Sequence, residues 1–471
     1  MNGMLNKELI NYFDQEAEKR DAWRAQNWYY HAVLLKLMRF IVPEGETVLE
    51  LGSGTGDLLA DIKPSRGVGI DMSVKMVEVA AQKYPHLEWK TGDAAEVVLG
   101  EKFDYVILSD LVGYLDDIDR LFASLERVCN EHTRIVITYY NYIWEPFLRL
   151  AEFLRIKSRQ PLQNWLSARD IENLLTLGGF EVVKHGKKMI FPLYIPLFST
   201  FLNGLVVNLP LVSTLGLIQY VVARPVSRDK KEYSVSVVVP ARNERGNIRG
   251  AVERMPQFGT YQEIIFVEGG SADGTYEEIE RIEKEYAGRK NIRFVKQDGK
   301  GKGDAVRKGF SMAKGEILMI LDADLTVRPE DLPKFYRAIA SSKGEFINGS
   351  RLVYQLEDDS MRFLNILGNK FFSIAFTWLL GQRLKDTLCG TKVLFKKDYE
   401  KIAKGRAYFG DFDPFGDFDL LFGAAKLNLK IVEIPVRYQA RTYGYTNIQR
   451  WKHGWILLKM TLFAMWKIKF I

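Results

Sequence analysis

Two carboxylates one residue apart, Asp322 and Asp324, end the apolar run in MILDADLTV. An extended backbone alternates its side chains, so a D-x-D pair points both carboxylates the same way. At the end of a buried strand such a pair is costly unless a cation meets it. The arrangement suits a hard divalent ion bridging the phosphates of a nucleotide. A second chemical signal is VLELGSGTGDLLA, in which Glu50 precedes Gly52, Gly54 and Gly56 in an E-x-G-x-G-x-G spacing. Glycines permit a tight turn and close approach of a ligand, and the helix N-terminus that follows offers free amides. The spacing departs from the G-x-G-x-x-G dinucleotide fingerprint, because Asp57 occupies the place of its third glycine. Asp71, at the end of GVGID, is placed to accept hydrogen bonds from a ribose diol, and Asp93 follows the next apolar run. Three such strand ends in series make one nucleoside pocket.

These residues need a frame, and the hydrophobic pattern supplies two. Apolar residues recur at threes and fours from residue 5 to 42, with Pro43 near the stop, which predicts helices forming a lid or cap. From Thr47 onward, VLEL, VGID, LEWK, YVILSD and IVITYY alternate with helical stretches. The rhythm restarts at SVSVVVP and continues through EIIFVEG, IRFVKQD, EILMILDAD and GEFINGS. Each series implies an α/β domain with a parallel sheet and its ligand at the carboxyl ends of the strands. Pro225 and a cluster of charges place the join near residue 229, giving domains over 1–229 and 230–450 and a basic aromatic tail over 451–471.

With 471 residues, 47% hydrophobic and 27% charged, the chain has the composition of a multidomain globular protein, not a disordered, collagenous or multi-span membrane one. Cys129 and Cys389 are the only cysteines, so no disulfide framework or thiolate zinc cluster is expected. Glu8, Asp14 and Glu16 stand where a signal peptide would be apolar, so a cytosolic location is expected. The formal charge of +7 favours acidic partners. Its basic residues are interleaved with apolar runs, which argues against nucleic acid. Residues 189–223 form an insertion without a charged side chain, interrupted by Pro192, Pro196 and Pro210. They suit an interfacial element or burial better than a straight spanning helix. Residues 369–382 and 453–471 suit a membrane surface, with aromatics at headgroup depth and lysines snorkelling. A core helix is the alternative for residues 369–382.

Over residues 30–225 the chain resembles the class I S-adenosylmethionine-dependent methyltransferases, through Glu50, Gly52, Gly54, Gly56, Asp71 and Asp93. The resemblance implies a Rossmann-like fold with the cofactor's methionine end over the glycine loop, its ribose on Asp71 and its adenine near Asp93 and Ala94. Ser109 and Asp110 end the fourth strand, where such enzymes meet their substrate. Methyl transfer needs mainly alignment. Asp110, Tyr114, Tyr139 and Tyr140 lie near the expected pocket mouth, and none stands out as a base.

In the second half, D-x-D has companions: VVVPARNERGNI, EGGSADGT and GKGKGDAVRKGF. Together they resemble the family 2 glycosyltransferases of the nucleotide-sugar A-type (GT-A) fold over residues 233–448. GSR at 349–351, KDTLCGTK at 385–392 and R-x-x-G at 441–444 are similar to the dolichol- or polyprenyl-phosphate sugar synthases. The resemblance implies a nucleotide-sugar pocket lined by Pro240, Asn243, Glu244, Glu268, Asp273 and Lys302. Asp322 and Asp324 would hold the sugar and a magnesium or manganese ion, while Arg351, Lys392 and Arg441 would face the donor diphosphate and acceptor phosphate. Asp417 and Asp419 would act as a base, orient a sugar hydroxyl, or cap a helix. Departures from the pattern are Glu268 and Gly269 in place of D-D-G-S, Thr326 where a glutamine often follows D-x-D, and Asn447 in place of a basic residue.

The expectation is a fused enzyme, peripheral or shallowly embedded at the cytoplasmic face of a membrane. It would move a hexose from a nucleotide sugar to a polyprenyl or dolichyl phosphate, and carry a methyltransferase whose acceptor the sequence does not name. Alternatives are transfer to a glycan or glycolipid, and a membrane-surface scaffold with one inactive half.

Overall fold

The computed structural model describes all residues except 1, 156, 158–159, 162, 228–230, 352–362, 409–415, 440, 442, 444–449 and 471. Gly444 and Asn447 therefore lie outside the described residues. The chain divides into two units, Met1–Val226 and Ser227–Lys469.

The first unit is built on seven strands: β1 (Thr47–Leu51), β2 (Arg66–Asp71), β3 (Glu88–Thr91), β4 (Phe103–Ser109), β5 (Cys129–Tyr140), β6 (Phe180–Lys188) and β7 (Ile218–Pro225). Their order is β3-β2-β1-β4-β5-β7-β6. The first five named run parallel, while β7 is antiparallel to both β5 and β6. Leu51 pairs with Ile70 on one side and Leu108 on the other, so the carboxyl ends of β1, β2 and β4 finish level. There the chain order reverses across the sheet, and a crevice opens at such a point. The expected N-terminal cap is three helices, Asn2–Glu16, Arg20–Gln26 and Trp28–Ile41.

The uncharged run over 189–223 divides in two. Ile218, Val221, Val222 and Ala223 are buried in β7, so the absence of charge there belongs to a sheet strand. Upstream, a short helix, Phe198–Gly204, and the turns around it leave Leu197 and Leu211 each 86% exposed.

The second unit also has seven strands: β8 (Val235–Ala241), β9 (Gln262–Glu268), β10 (Asn291–Lys296), β11 (Ile317–Ile320), β12 (Phe346–Ser350), β13 (Lys392–Phe395) and β14 (Ile431–Pro435). The order is β10-β9-β8-β11-β13-β12-β14, parallel from β10 to β11, with β13 antiparallel to its neighbours β11 and β12. Both faces are covered: Val235, Val237 and Val239 belong to one apolar layer and Val238 to the other, so β8 reads as a continuous apolar run. Helix Phe363–Leu380 sinks Phe372, Phe376 and Leu379 into the second layer and exposes Phe371 and Ile374. Helix Arg450–Ile468 does likewise, burying Leu457, Met460 and Ala464 while exposing Trp455, Leu462 and Trp466. Among the described residues no helix is long and apolar enough to cross a membrane.

Phe376 is fully buried with ring centroids 4.6 Å from Phe418 and 5.2 Å from Phe422. Phe376→Ala should cost about 3–5 kcal/mol. In urea titrations the second unit's transition should move to lower denaturant while that of the first unit stays in place.

Candidate active sites

A cavity of about 240 Å³ lies at the carboxyl ends of β1, β2 and β4. Gly52, Gly54, Asp71, Asp93 and Ala94 line it, so five of the seven sequence candidates for the cofactor share one wall. Gly54 has φ of +51° and nothing within 4 Å of the place a Cβ would occupy, which leaves the backbone open to a ligand. The Gly54 amide donates to Asp71 Oδ2 at 2.8 Å and the Ser73 amide to Oδ1 at 2.9 Å. The carboxylate is thus aimed before any ligand arrives, although burial raises its pKa. Asp93 Oδ1 accepts from the Ala95 amide at 2.8 Å, fixing the turn beside Ala94. The other two candidates act from beneath the loop. A Cβ on Gly56 would run into the Trp89 indole, and Glu50 is buried with its Oε2 lacking a hydrogen-bond partner. Burial pushes the Glu50 carboxyl up to about 8. An open glycine loop with an aimed carboxylate at the next strand end and a second one after the third strand fits a nucleoside cofactor such as S-adenosylmethionine.

The opposite wall was hidden from sequence reasoning. Cap residues Tyr12, Arg20, Trp23 and Tyr30 also line the cavity. Tyr30 Oη donates to Asp110 Oδ2 at 2.7 Å, and Thr138 Oγ1 approaches Oδ1 at 3.3 Å. Asp110 sits in the left-handed region at φ +53°, a costly conformation that turns its carboxylate inward. Tyr114 and Tyr140 line the cavity as well, whereas Tyr139 faces the apolar core.

In the second unit, opposed charges are threaded together at the carboxyl ends of β8 and β11. Lys302 Nζ lies 2.7 Å from Asp322 and 4.0 Å from Asp417, and Lys392 lies 3.0 Å from Asp417. Burial alone would lower the Lys302 pKa, but Asp322 and Asp417 override it and hold the ammonium charged. Arg441 bridges Asp324 at 2.6 Å and Glu244 at 3.1 Å. Burial pushes Glu244 up to about 7 against that pull. Asn247 donates to the other Glu244 oxygen at 2.7 Å. Thr326, in the place of a metal-binding glutamine, donates to Asp324 Oδ1 at 2.8 Å.

The loops after β8 and β9 are stitched by Asn243, at φ +56°, whose side chain accepts from the Ala272 amide at 2.9 Å. Glu268 is buried and accepts from the Ser271 amide at 2.6 Å, while Pro240 sits half-buried near the end of β8. Asp273 caps its loop through the Thr275 amide at 3.0 Å and receives Tyr443 Oη at 3.2 Å. Arg351 is in neither charge cluster. It forks onto buried Asp386 at 2.7 and 2.8 Å, with Tyr438 beneath at 5.2 Å. Asp419 pairs with Arg406 at 2.8 Å, and Asp417 opens the helix Asp417–Lys426. Among the described residues no three His, Cys, Asp or Glu side chains gather as a metal cluster.

Two outcomes follow from this geometry. A methyl on Gly390 would collide with the Asp322 carboxylate and Lys302 ammonium, so Gly390→Ala should weaken nucleotide-sugar binding at least tenfold by calorimetry while the circular dichroism spectrum is kept. Glu50, raised from 4.5 to about 8, holds a proton in the folded chain that the unfolded chain has released. Stability of the first unit should therefore fall as pH rises through that window, by up to about 1.4 kcal/mol per pH unit. Urea titrations of Glu50→Gln at pH 5, 6.5 and 8 should show the slope flattened.

A family model described as "Methyltransferase domain" matches residues 22–185, and one described as "Glycosyl transferase family 2" matches residues 236–402. A dolichol-phosphate mannosyltransferase of Pyrococcus furiosus is 30% identical over 220 residues, 46% of this chain and 59% of that protein. The enzyme of the same name in Saccharomyces cerevisiae is 36% identical over 110 residues, 22% of this chain and 40% of that protein. The chain thus spans about half the length of these curated relatives. A solved S-adenosylmethionine-dependent methyltransferase of Thermotoga maritima aligns with 14% identity and a TM-score of 0.37, covering 46% of this chain and 99% of that one. The chain joins an N-terminal methyltransferase domain to a C-terminal family 2 glycosyltransferase domain.

Proposed function

We propose that the C-terminal domain transfers a hexose from a GDP- or UDP-linked donor to the phosphate of a polyprenyl or dolichyl lipid, and that the N-terminal domain transfers methyl groups from S-adenosylmethionine. The observation that carries the first half is a pair of charge clusters, Lys302–Asp322–Asp417–Lys392 and Asp324–Arg441–Glu244, on either side of the D-x-D turn. It lies in a domain whose relatives are named dolichol-phosphate mannosyltransferases.

A phosphate monoester is anionic at neutral pH and needs no strong base. One of its oxygens attacks the anomeric carbon, the bond from that carbon to the diphosphate breaks with inversion, and the nucleoside diphosphate leaves with the electron pair. Lys302 and Arg441 are partly buried cations already positioned by carboxylates, and each exchanges a carboxylate for a phosphate oxygen when the donor enters. Lys392 keeps Asp417 beside Lys302, and Arg351, stiffened by Asp386, presents a fixed positive edge toward the acceptor side. Pro240, Asn243, Glu244, Glu268 and Asp273 shape the nucleotide end. A magnesium or manganese ion held by Asp322 and Asp324 would add neutralisation of the leaving diphosphate.

In the first domain Asp71 takes the ribose, Asp93 and Ala94 border the adenine, and Glu50 supports the glycine loop from beneath. Exposed Trp455 and Trp466, beside Lys459 and Lys467 on the last helix, support peripheral binding at a membrane surface, which we take to be the cytoplasmic face.

The test is transfer of radiolabelled hexose from a panel of nucleotide sugars to dolichyl or undecaprenyl phosphate. A chloroform-extractable product is expected, abolished by EDTA and lowered at least 100-fold by Asp324→Ala. Product on a soluble glycan and none on lipid would replace the lipid acceptor.

A further inference from the structure

The methyl-transfer cavity does not close on all sides with polar residues. Leu148, Pro192 and Leu217 form part of its wall. Leu148 and Pro192 belong to segments that also leave apolar side chains exposed, while Leu217 is buried just before β7. On the helix Glu145–Phe153, Leu148 reaches the cavity while Phe147 and Phe153 are 62% and 83% exposed. A surface helix of a soluble enzyme turns mainly polar residues outward, whereas this one, beside its Arg149–Glu145 pair, also leaves Phe147, Leu150 and Phe153 exposed. In the neighbouring run, Pro192 reaches the cavity while Leu197, Phe201 and Leu211 stand exposed. The two segments meet where Trp144 Nε1 donates to the Leu215 carbonyl at 2.7 Å. The second segment also packs on the cap, with Tyr194 at 4.8 Å from Trp28 and 5.2 Å from Tyr29. A contiguous exposed apolar surface of this kind marks a site of interaction. Here it is continuous with the lining of a cavity whose inner end is polar, at Asp110, Tyr30 and Lys157.

We propose that the methyl acceptor is an amphiphile: a hydroxyl-bearing headgroup reaches Asp110 while a long apolar chain leaves across Leu148 and Pro192 onto the exposed rim. The inference rests on the reading of this domain as a methyltransferase and names the class of its substrate. The hydroxyl oxygen attacks the sulfonium methyl, an O–CH3 bond forms, the S–CH3 bond breaks with its electron pair left on sulfur, and the hydroxyl proton passes to the Asp110 carboxylate. Asp110 is then the catalytic base, and Tyr30 its positioning residue, delivered by the cap at 2.7 Å. A water-soluble acceptor would use the polar end and leave the rim without a role.

The test uses the full chain and a polyprenyl-phosphoryl hexose carrying a photoreactive diazirine on its chain. Labelling mapped by mass spectrometry should fall within residues 145–153 and 193–211, in addition to any in the second domain. The double variant Leu197→Glu/Leu211→Glu should reduce that labelling at least fivefold, while Leu177→Glu, an exposed leucine outside the rim, leaves it unchanged. S-adenosylmethionine affinity by calorimetry should stay within twofold in both. Asp110→Asn should lower methyl transfer to the lipid at least 100-fold with cofactor affinity kept. Labelling confined to the second domain, or methylation of the chain-free hexose phosphate as fast as of the lipid, overturns the proposal. A wild-type chain that binds no S-adenosylmethionine overturns the methyltransferase reading itself, a distinct result.

Discussion

Carboxylates held at the ends of buried strands must be answered by donors or cations, and both units are organised around that requirement. In the first, Asp71 is answered by two backbone amides and Asp110 by two hydroxyls, while Glu50 is left with one oxygen bare. In the second, Asp322, Asp324, Asp417 and Glu244 are answered by Lys302, Lys392 and Arg441. The difference is chemical. Amides and hydroxyls aim a carboxylate and leave it able to accept more, which suits recognition of a diol or a proton. Ammonium and guanidinium groups hold a carboxylate until a stronger anion arrives, which suits a diphosphate. The two kinds of answer separate two classes of ligand without reference to overall charge.

What the sequence made legible follows from where the signal resides. The glycine loop, Asp71, Asp93 and the D-x-D pair are set by local backbone geometry at strand ends, and the structure brings Gly52, Gly54, Asp71, Asp93 and Ala94 around one cavity. The cap was legible as helices, but periodicity reports only that a helix has an apolar face. It does not say which strand end that face covers, so the Tyr30 contact with Asp110, 80 residues away, was invisible. The Arg351–Asp386 fork illustrates the same gap, since a motif names an arginine without its partner 35 residues on. Over 189–223 a missing charge has two physical causes, a core strand and an exposed apolar surface, and composition gives both the same appearance.

The exposed apolar surfaces give the two halves a common trait. The rim of the first unit and the outer faces of helices Phe363–Leu380 and Arg450–Ile468 in the second each combine a packed side with an unpartnered apolar one. None is a membrane span by length or hydropathy. A surface of this kind adds little to folding stability, because its side chains remain solvated, so its apolar character fits contact with something else.

Arg441 joins Asp324 and Glu244 across 117 and 197 residues of chain. During synthesis β8, its loop and the D-x-D turn all leave the ribosome before that arginine exists. Until it arrives, Glu244 and Asp324 sit near each other with like charge and no mediator. A late-made residue of the domain is therefore the one that renders its acidic centre electrostatically tolerable, and a nascent chain or one clipped before Arg441 would hold a donor pocket that repels its own substrate.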